Sequence, residues 1–329
     1  MDGTAGFAAR IEEQAGARPP RSPVLAVAAV SWAAFAALVR FWPDIDDSVA
    51  YGGLLALVSL AIALPPAAGF LFAWRWPGLR RLGPWLTALP IGLGLWEVAT
   101  AKLMWLPRPF FAPPQALLEV YIEDWPKLLD SLLHSLQLLA CGFGLGAVSG
   151  FVAGVAIGWS RAVGYWVHPV MRLIGPLPPV AWLPLMFFVM PSSWSAAVCL
   201  IALASSFPVA ILTWSGVASV DRSYYDIART LGADQRFLVL KVAIPAALPH
   251  VFVGLFMGLS SSFIVLIVAE MMGVKSGLGW YLQWSQGWGS YSNMYAALLV
   301  MALVFSGLIT LLFRLRGRFL AWQKGLVEW

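Results

Sequence analysis

The sequence predicts an all-α integral membrane protein, and three observations predict it. Of 329 residues, 60% are hydrophobic and 11% charged, with a mean hydropathy of +0.79; soluble domains are about 45–50% apolar. The apolar residues fall in runs of about twenty, the length that crosses a hydrocarbon core as a helix. The 18 Trp and 19 Phe suit interfacial belts and lipid-facing surfaces. The net charge of +5 reads as loop bias on a membrane protein, not as affinity for nucleic acid. Cys141 and Cys199 both lie in apolar runs, so no disulfide framework or metal site is implied.

Residues 1–23 read as a polar tail with Arg10, Arg18 and Arg21. Residues 24–83 hold two apolar spans, Val24 to Trp42 and Tyr51 to Trp74. The acidic loop Asp44, Asp46, Asp47 joins them, and Pro65-Pro66 predicts a bend in the second. The first run ends in Val-Arg-Phe-Trp-Pro, not in small residues, and reads as a retained anchor, not a signal peptide. The basic loop Arg75, Arg80, Arg81 leads to a third span, Pro84 to Leu106, in which Glu97 reads as an interhelical contact. A connection with an amphipathic helix from Gln115 to Leu129 follows.

Ser131 to Trp159 is the fourth span. Gly142, Gly146, Gly150, Gly154 and Gly158 recur at i+4 and make a smooth face for close helix packing. Arg161 to Pro179 is amphipathic and ends in Gly175-Pro176-Leu177-Pro178-Pro179, which cannot continue a regular helix. A broken backbone at membrane depth is tolerated where it is buried in protein or lines a cavity. Ala181 to Met190 and Trp194 to Val217 give a short and a full span. His250 to Gly273 spans next, then a Gly- and Trp-rich outer loop from Val274 to Asn293, then Met294 to Phe313. The total is about eight spans. With the N-terminus inside, Arg40, Lys102, Arg108, Lys127 and Lys275 alone fall outside, of the chain's 21 basic residues. That asymmetry puts both termini in the cytoplasm. His134, His168 and His250 read as interfacial polar residues.

One polar island, 221–249, interrupts the apolar runs and carries Asp221, Arg222, Asp226, Arg229, Asp234, Arg236 and Lys241. Ser223 to Leu231 lacks Gly and Pro and predicts a short helix, N-capped by Asp221 or Ser223 and ended by Gly232. Gln235 to Ala243 predicts a second helix, closed by Pro245 and Pro249. A short exposed helix at such an elbow suits docking into a partner's groove.

Asp226-Ile227-Ala228, three residues, Gly232, nine residues, then Val242-Ala243-Ile244-Pro245 resembles the EAA loop of ABC-importer permeases. Gly232, Pro245 and Ala228 match the family pattern; Asp226 stands for Glu and Ile227 for the first Ala. Leu95-Trp96-Glu97, Pro178 to Leu185, Ala269 to Gly273 and Ser276 to Gly279 are similar to the nitrate/sulfonate/taurine branch. The resemblance covers about Pro84 to Gly325, so 84–325 is expected to form the six-span type I core, with 326–329 as a C-terminal tail. The two spans of 24–83 are extra to that core.

The resemblance implies a permease subunit in the inner membrane, working as a homodimer with two cytoplasmic ATPases and an outer binding protein that delivers a small, anionic solute. Tyr224, Tyr225, Asp226, Ile227, Ala228, Arg229, Thr230, Leu231, Gly232 and Pro245 are then the ATPase-coupling residues. The chain has no P-loop, no HExxH and no GxSxG, so it is expected to be no enzyme; ATP and Mg would sit on the partner. For the solute path, Glu270, Ser205, Ser206, Ser260, Ser261, Ser262, Pro178 and Pro179 are the residues singled out. Glu270 either faces the path, holds loop backbone at the outer gate, or makes a purely structural hydrogen bond. Hydroxyls and half-helix N-termini at Pro178-Pro179 would screen an anion without a fixed cation. The competing reading is an ion-coupled secondary transporter, which needs several ionisable groups at mid-depth; the spans offer Glu97 and Glu270.

Overall fold

The computed structural model describes residues 23–45, 51–71, 77–175 and 177–323. The N-terminal tail before Pro23, Asp46, Asp47, Arg75, Pro176 and the C-terminal tail 326–329 lie outside the described residues. The chain divides into two compact units, one ending at Asp124 and the other beginning at Trp125. No strand occurs among the described residues.

The first unit holds α1 (Pro23–Phe41), α2 (Gly52–Leu71), α3 (Pro77–Glu97) and α4 (Pro114–Glu123). Val24, at the start of α1, sits over Gly83 near the start of α3, while Leu25 meets Gly69 near the end of α2. At the other end, Val39 meets Gly52. So α1 and α3 run parallel, and α2 runs antiparallel to α1. Trp32, Phe35, Ala36 and Val39 of α1 bury against Leu55, Ala56 and Ala63 of α2. Pro65 and Pro66 lie inside an uninterrupted α2. The helix α3 continues as a π turn, Val98–Lys102. The first unit ends after α4, and within it α3 packs along α1.

Charge gathers where α1 and α3 end. The Lys102 ammonium donates to the Trp42 carbonyl and to Asp44 Oδ1, and lies 3.7 Å from Glu97 Oε1. Gln115 Nε2 donates to Glu97 Oε1 at 3.1 Å and to Asp44 Oδ2 at 3.2 Å. A lysine with a side-chain exposure of 1% needs such partners, since an unpaired buried charge is strongly unfavourable.

The second unit holds α5 (Trp125–Trp159), α6 (Arg161–Ile174), a 3₁₀ turn (Pro179–Trp182), α7 (Leu183–Val189) and α8 (Ser193–Ala218). It continues with α9 (Arg222–Thr230), α10 (Gln235–Met272), α11 (Leu278–Gly287) and α12 (Tyr291–Phe319). The i+4 glycine face of α5 meets α8 along its length. Gly142 lies on Ile201, Gly150 on Ser206, Gly154 on Ala210 and Gly158 on Val217. A Cβ on Gly150 would come within 2.5 Å of the Ser206 carbonyl, so the two backbones touch.

Both numbers rise together along that contact, so α5 and α8 are parallel. Parallel neighbours need a connection that returns over their whole length. The segment between them does this in two pieces. The helix α6 climbs beside α5, with Met171 reaching the level of Gly150 and Ser206. The chain breaks at Gly175–Pro178, turns by 85°, and α7 carries Phe187 up to Gly273. The predicted short span Ala181 to Met190 is thus the far half of a bent pair.

Against α8, α10 runs antiparallel: Gly216 meets His250, and Ser262 Oγ donates to the Ile201 carbonyl at 3.3 Å. The helix α12 is antiparallel to α10 through Phe252–Phe319, Phe256–Phe313 and the stacked pair Phe263–Phe305 at 4.4 Å. The ends of α5, α8 and α12 and the start of α10 therefore share one end of the bundle. Leu138, Leu183, Leu200, Ile201, Leu259 and Leu266 fill its core.

Among the described residues, six helices are long and apolar enough to cross a membrane: 23–41, 52–70, 125–159, 193–218, 235–272 and 291–319. The α6–α7 pair qualifies when its halves are taken together. Several boundaries differ from the sequence reading. The predicted helix Gln115 to Leu129 is split, with α4 ending at Glu123 and α5 already beginning at Trp125. The region 274–293 contains the helix α11, and α10 passes through Pro245 and Pro249 without ending.

Candidate functional site

The elbow 221–249 stands at the shared end of the bundle, and each of its turns has a local cause. Asp221 caps α9 by accepting the Ser223 N–H at 2.8 Å. That bond holds its carboxyl below the usual carboxylate value of 3.8. Gly232 stops the helix at φ +83, with its N–H on the Arg229 carbonyl at 2.9 Å. A Cβ there would meet nothing within 4 Å, so glycine is required by the backbone angle and not by space. Asp234 then caps α10 through the Phe237 N–H at 2.8 Å. A π turn, Leu238–Ala243, precedes Pro245, with the Ile244 N–H reaching back to the Val239 carbonyl. Pro245 has no N–H to return to Lys241; the widened turn absorbs that mismatch, and the helix continues.

The two faces of α9 differ. Tyr225 turns inward and meets the Trp159 ring edge-on at 5.7 Å, over Val217, Ala243 and Ala247. Burial raises its phenol above the ordinary value. Tyr224, Ile227 and Leu231 turn outward and are 63%, 60% and 83% exposed. Their spacing of i, i+3, i+7 makes one apolar ridge on a polar helix. Asp226 and Arg229 flank it as an exposed pair at 3.6 Å. Thr230 bonds the Ile227 carbonyl, and Ala228 is half-buried. A helix with one seated face and one exposed apolar ridge has the form that docks in a partner's groove.

The predicted path residues separate. Ser205, Ser206 and Ser260 return their hydroxyls to carbonyls of their own helix. Ser262 bonds across to α8. Pro178, Pro179 and Ser261 come together around a cavity of about 320 Å³, with Phe207 and Pro208 opposite. Glu270 is elsewhere. Its Oε1 accepts from Ser135 Oγ at 2.7 Å and its Oε2 from the Gly279 N–H at 2.8 Å. Ser135 Oγ accepts the Leu278 N–H at 2.8 Å. The carboxylate thus caps the start of α11, where free N–H groups favour negative charge. Gly277, at φ +99, and Gly279 let the backbone approach it. Sequence reading missed Ser135 and Trp159, which lie far from their partners in the chain; an isolated Ser in an apolar run carries no signal of this role.

The described residues thus form a bundle of long apolar helices with an exposed short helix at one end. Residues 146–323 match the family model of binding-protein-dependent transport system inner membrane components, and the chain belongs to that family. It is similar to the nitrate import permease protein NrtB of Synechococcus elongatus, 27% identical over 274 residues, covering 80% of this chain and 96% of the relative. The putative aliphatic sulfonates transport permease protein SsuC of Bacillus subtilis is 29% identical over 235 residues, covering 69% and 84%. The bicarbonate transport system permease protein CmpB of S. elongatus is 30% identical over 194 residues, covering 58% and 66%.

Proposed function

We propose that the chain forms the translocation path of an ATP-driven importer for a small anion of the nitrate, sulfonate or taurine type. The names of the relatives, for nitrate, aliphatic sulfonates and bicarbonate, support the anionic class. Two copies pair, two cytoplasmic ATPases carry ATP and Mg, and an outer binding protein delivers the solute. Tyr224 to Leu231 with Gly232 form the coupling surface. ATP-driven closure of the ATPases moves α9, and Tyr225 on Trp159 passes that motion to α5. The carrying observation is the exposed Tyr224/Ile227/Leu231 ridge on a helix seated from behind.

In this reading the chain crosses the membrane about eight times. The parallel packing of α3 on α1 and the return of the α6–α7 pair supply the two crossings beyond the six long apolar helices. Arg161, Arg222, Arg229, Arg236, Lys241, Arg314, Arg316 and Arg318 all belong to the α9 end, which faces the cytoplasm with both termini. The tail 1–23, the pair of helices in 24–83, the core 84–325 and the tail 326–329 keep their proposed roles.

The test is a mild-detergent pull-down of the tagged chain, with stoichiometry by native mass spectrometry, for wild type, Leu231→Asp and Gly232→Trp. An ATPase at two-to-two with wild type, lost in both variants, is expected. A wild-type chain that comes down without a nucleotide-binding partner sinks the reading. Uptake driven by a proton gradient and indifferent to ATP would establish the ion-coupled alternative.

A further inference from the structure

Arg161, His168 and Arg172 share one face of α6, at i, i+7 and i+11. They line one open groove of about 1,030 Å³, together with Trp214 of α8, and no carboxylate lines it. Trp214 holds the His168 ring edge-on at 4.2 Å. Neither arginine has an ion pair among the described residues. Depth sets Arg172 apart. Its neighbour Met171 packs at the level of Ser206, halfway along α8. The next residues, Ile174 and Gly175, already line the Pro178–Ser261 cavity. An unpaired cation at mid-depth is unfavourable against lipid and marks a solute pathway when it faces a groove.

We infer that this face of α6 is an oxyanion track that leads the solute from the Pro178–Ser261 cavity, past Arg172 and His168, to Arg161 at the α9 end. Arg172 is the contact that selects charge. Its guanidinium presents planar paired donors that fit the flat edge of nitrate, bicarbonate or a sulfonate. Ser261 meets the solute above it, and Arg161 draws it toward release. The sequence reading had assigned the screening of an anion to hydroxyls and half-helix ends without a fixed cation; the fold supplies one. The track rests on the anion-importer reading, and it deepens that reading by naming the residue that recognises the cargo's charge.

The test uses the complete transporter with its ATPases and binding protein. In proteoliposomes, ATP-driven uptake of nitrate, ethanesulfonate and bicarbonate is measured for wild type, Arg172→Gln and Arg172→Lys. In delipidated micelles, binding of chloride is followed by the line width of its nuclear resonance, with nitrate as competitor. Arg172→Gln is expected to lower uptake by about tenfold or more, the effect of losing one charged hydrogen bond, and to abolish most nitrate-sensitive chloride broadening. Arg172→Lys restores the charge but not the planar paired donors, so it is expected to recover most of the chloride broadening but only part of the nitrate uptake, a split that a merely structural arginine would not predict. If wild type imports one of these anions and Arg172→Gln imports it equally well, the track is wrong and the importer reading stands. If wild type imports none of them yet shows broadening that depends on Arg172, the track stands and the cargo reading falls. If broadening is absent in micelles and mass spectrometry finds phospholipid retained only when Arg172 is present, the groove holds lipid phosphate and the proposal is overturned.

Discussion

The buried charge group between α1 and α3 allows a quantitative test of what ties the N-terminal helices to the chain. Lys102 is 1% exposed and Asp44 17%. Removing one partner from a buried pair costs about 3–5 kcal/mol. Asp44→Ala falls at the low end, about 3 kcal/mol, because Asp44 is partly solvated and Glu97 remains 3.7 Å from the ammonium. Lys102→Met falls at the high end, about 5 kcal/mol, because it leaves Asp44 and Glu97 facing one another with no cation between them. The double variant removes both halves of the main pair and should cost well under the sum, with a coupling of about 2 kcal/mol. The assay is equilibrium unfolding of the four proteins in mixed micelles, followed by a Trp32-dependent fluorescence change. Trp32 packs in the α1–α2 core and reports on it. A coupling below about 0.5 kcal/mol, the limit for independent sites, would refute the argument that Asp44 and Lys102 fasten these helices.

Three further outcomes follow from the geometry. Gly146→Val forces a side chain into Ser205 and the Ala202 backbone, and should destabilise the protein by about 3 kcal/mol or more through lost α5–α8 contact; thermal unfolding in detergent reads it. Glu270→Ala leaves the Gly279 N–H and the Ser135 hydroxyl proton without their acceptor and should loosen α11, seen as faster amide exchange at Leu278 and Gly279, whereas Glu270→Gln, which retains an acceptor, should keep most uptake. For Asp221 the sign is set by its depressed carboxyl: the cap is complete above its ordinary value of 3.8 and is lost as pH falls through the lower folded value. ATPase docking should therefore be flat from pH 5 to 8, weakened by Asp221→Ala and preserved by Asp221→Asn, as measured by co-purification.

Local chemistry was legible and distant pairing was not. The α9 helix, its Asp221 cap and its Gly232 stop follow from residues within a dozen positions of each other, and the sequence reading placed them to within a residue. The end of the second elbow helix was misplaced, because a proline stops a helix only if nothing absorbs its missing N–H, and here a π turn does. The serines were singled out as path residues; in the fold Ser205, Ser206 and Ser260 bond their own helix, Ser262 bonds α8, and Ser261 lines a cavity, a division set by which way each faces. Glu270 was legible as an acid needing a partner, and three uses for it stayed open.

The sequence by itself determined a helical membrane protein, its apolar runs, its charge asymmetry and a polar helical elbow with a family spacing. Composition, run length and short-range capping carry that information within single segments. The tertiary structure alone decided that α5 and α8 run parallel, which requires the bent α6–α7 return. It also decided that Glu270 caps α11 through Ser135, that Lys102 answers Asp44, and that Arg172 lines a groove at mid-depth. Each of these depends on which helix faces which. A buried charge or a glycine face demands a partner, but any of several helices could supply it, and packing chooses among them.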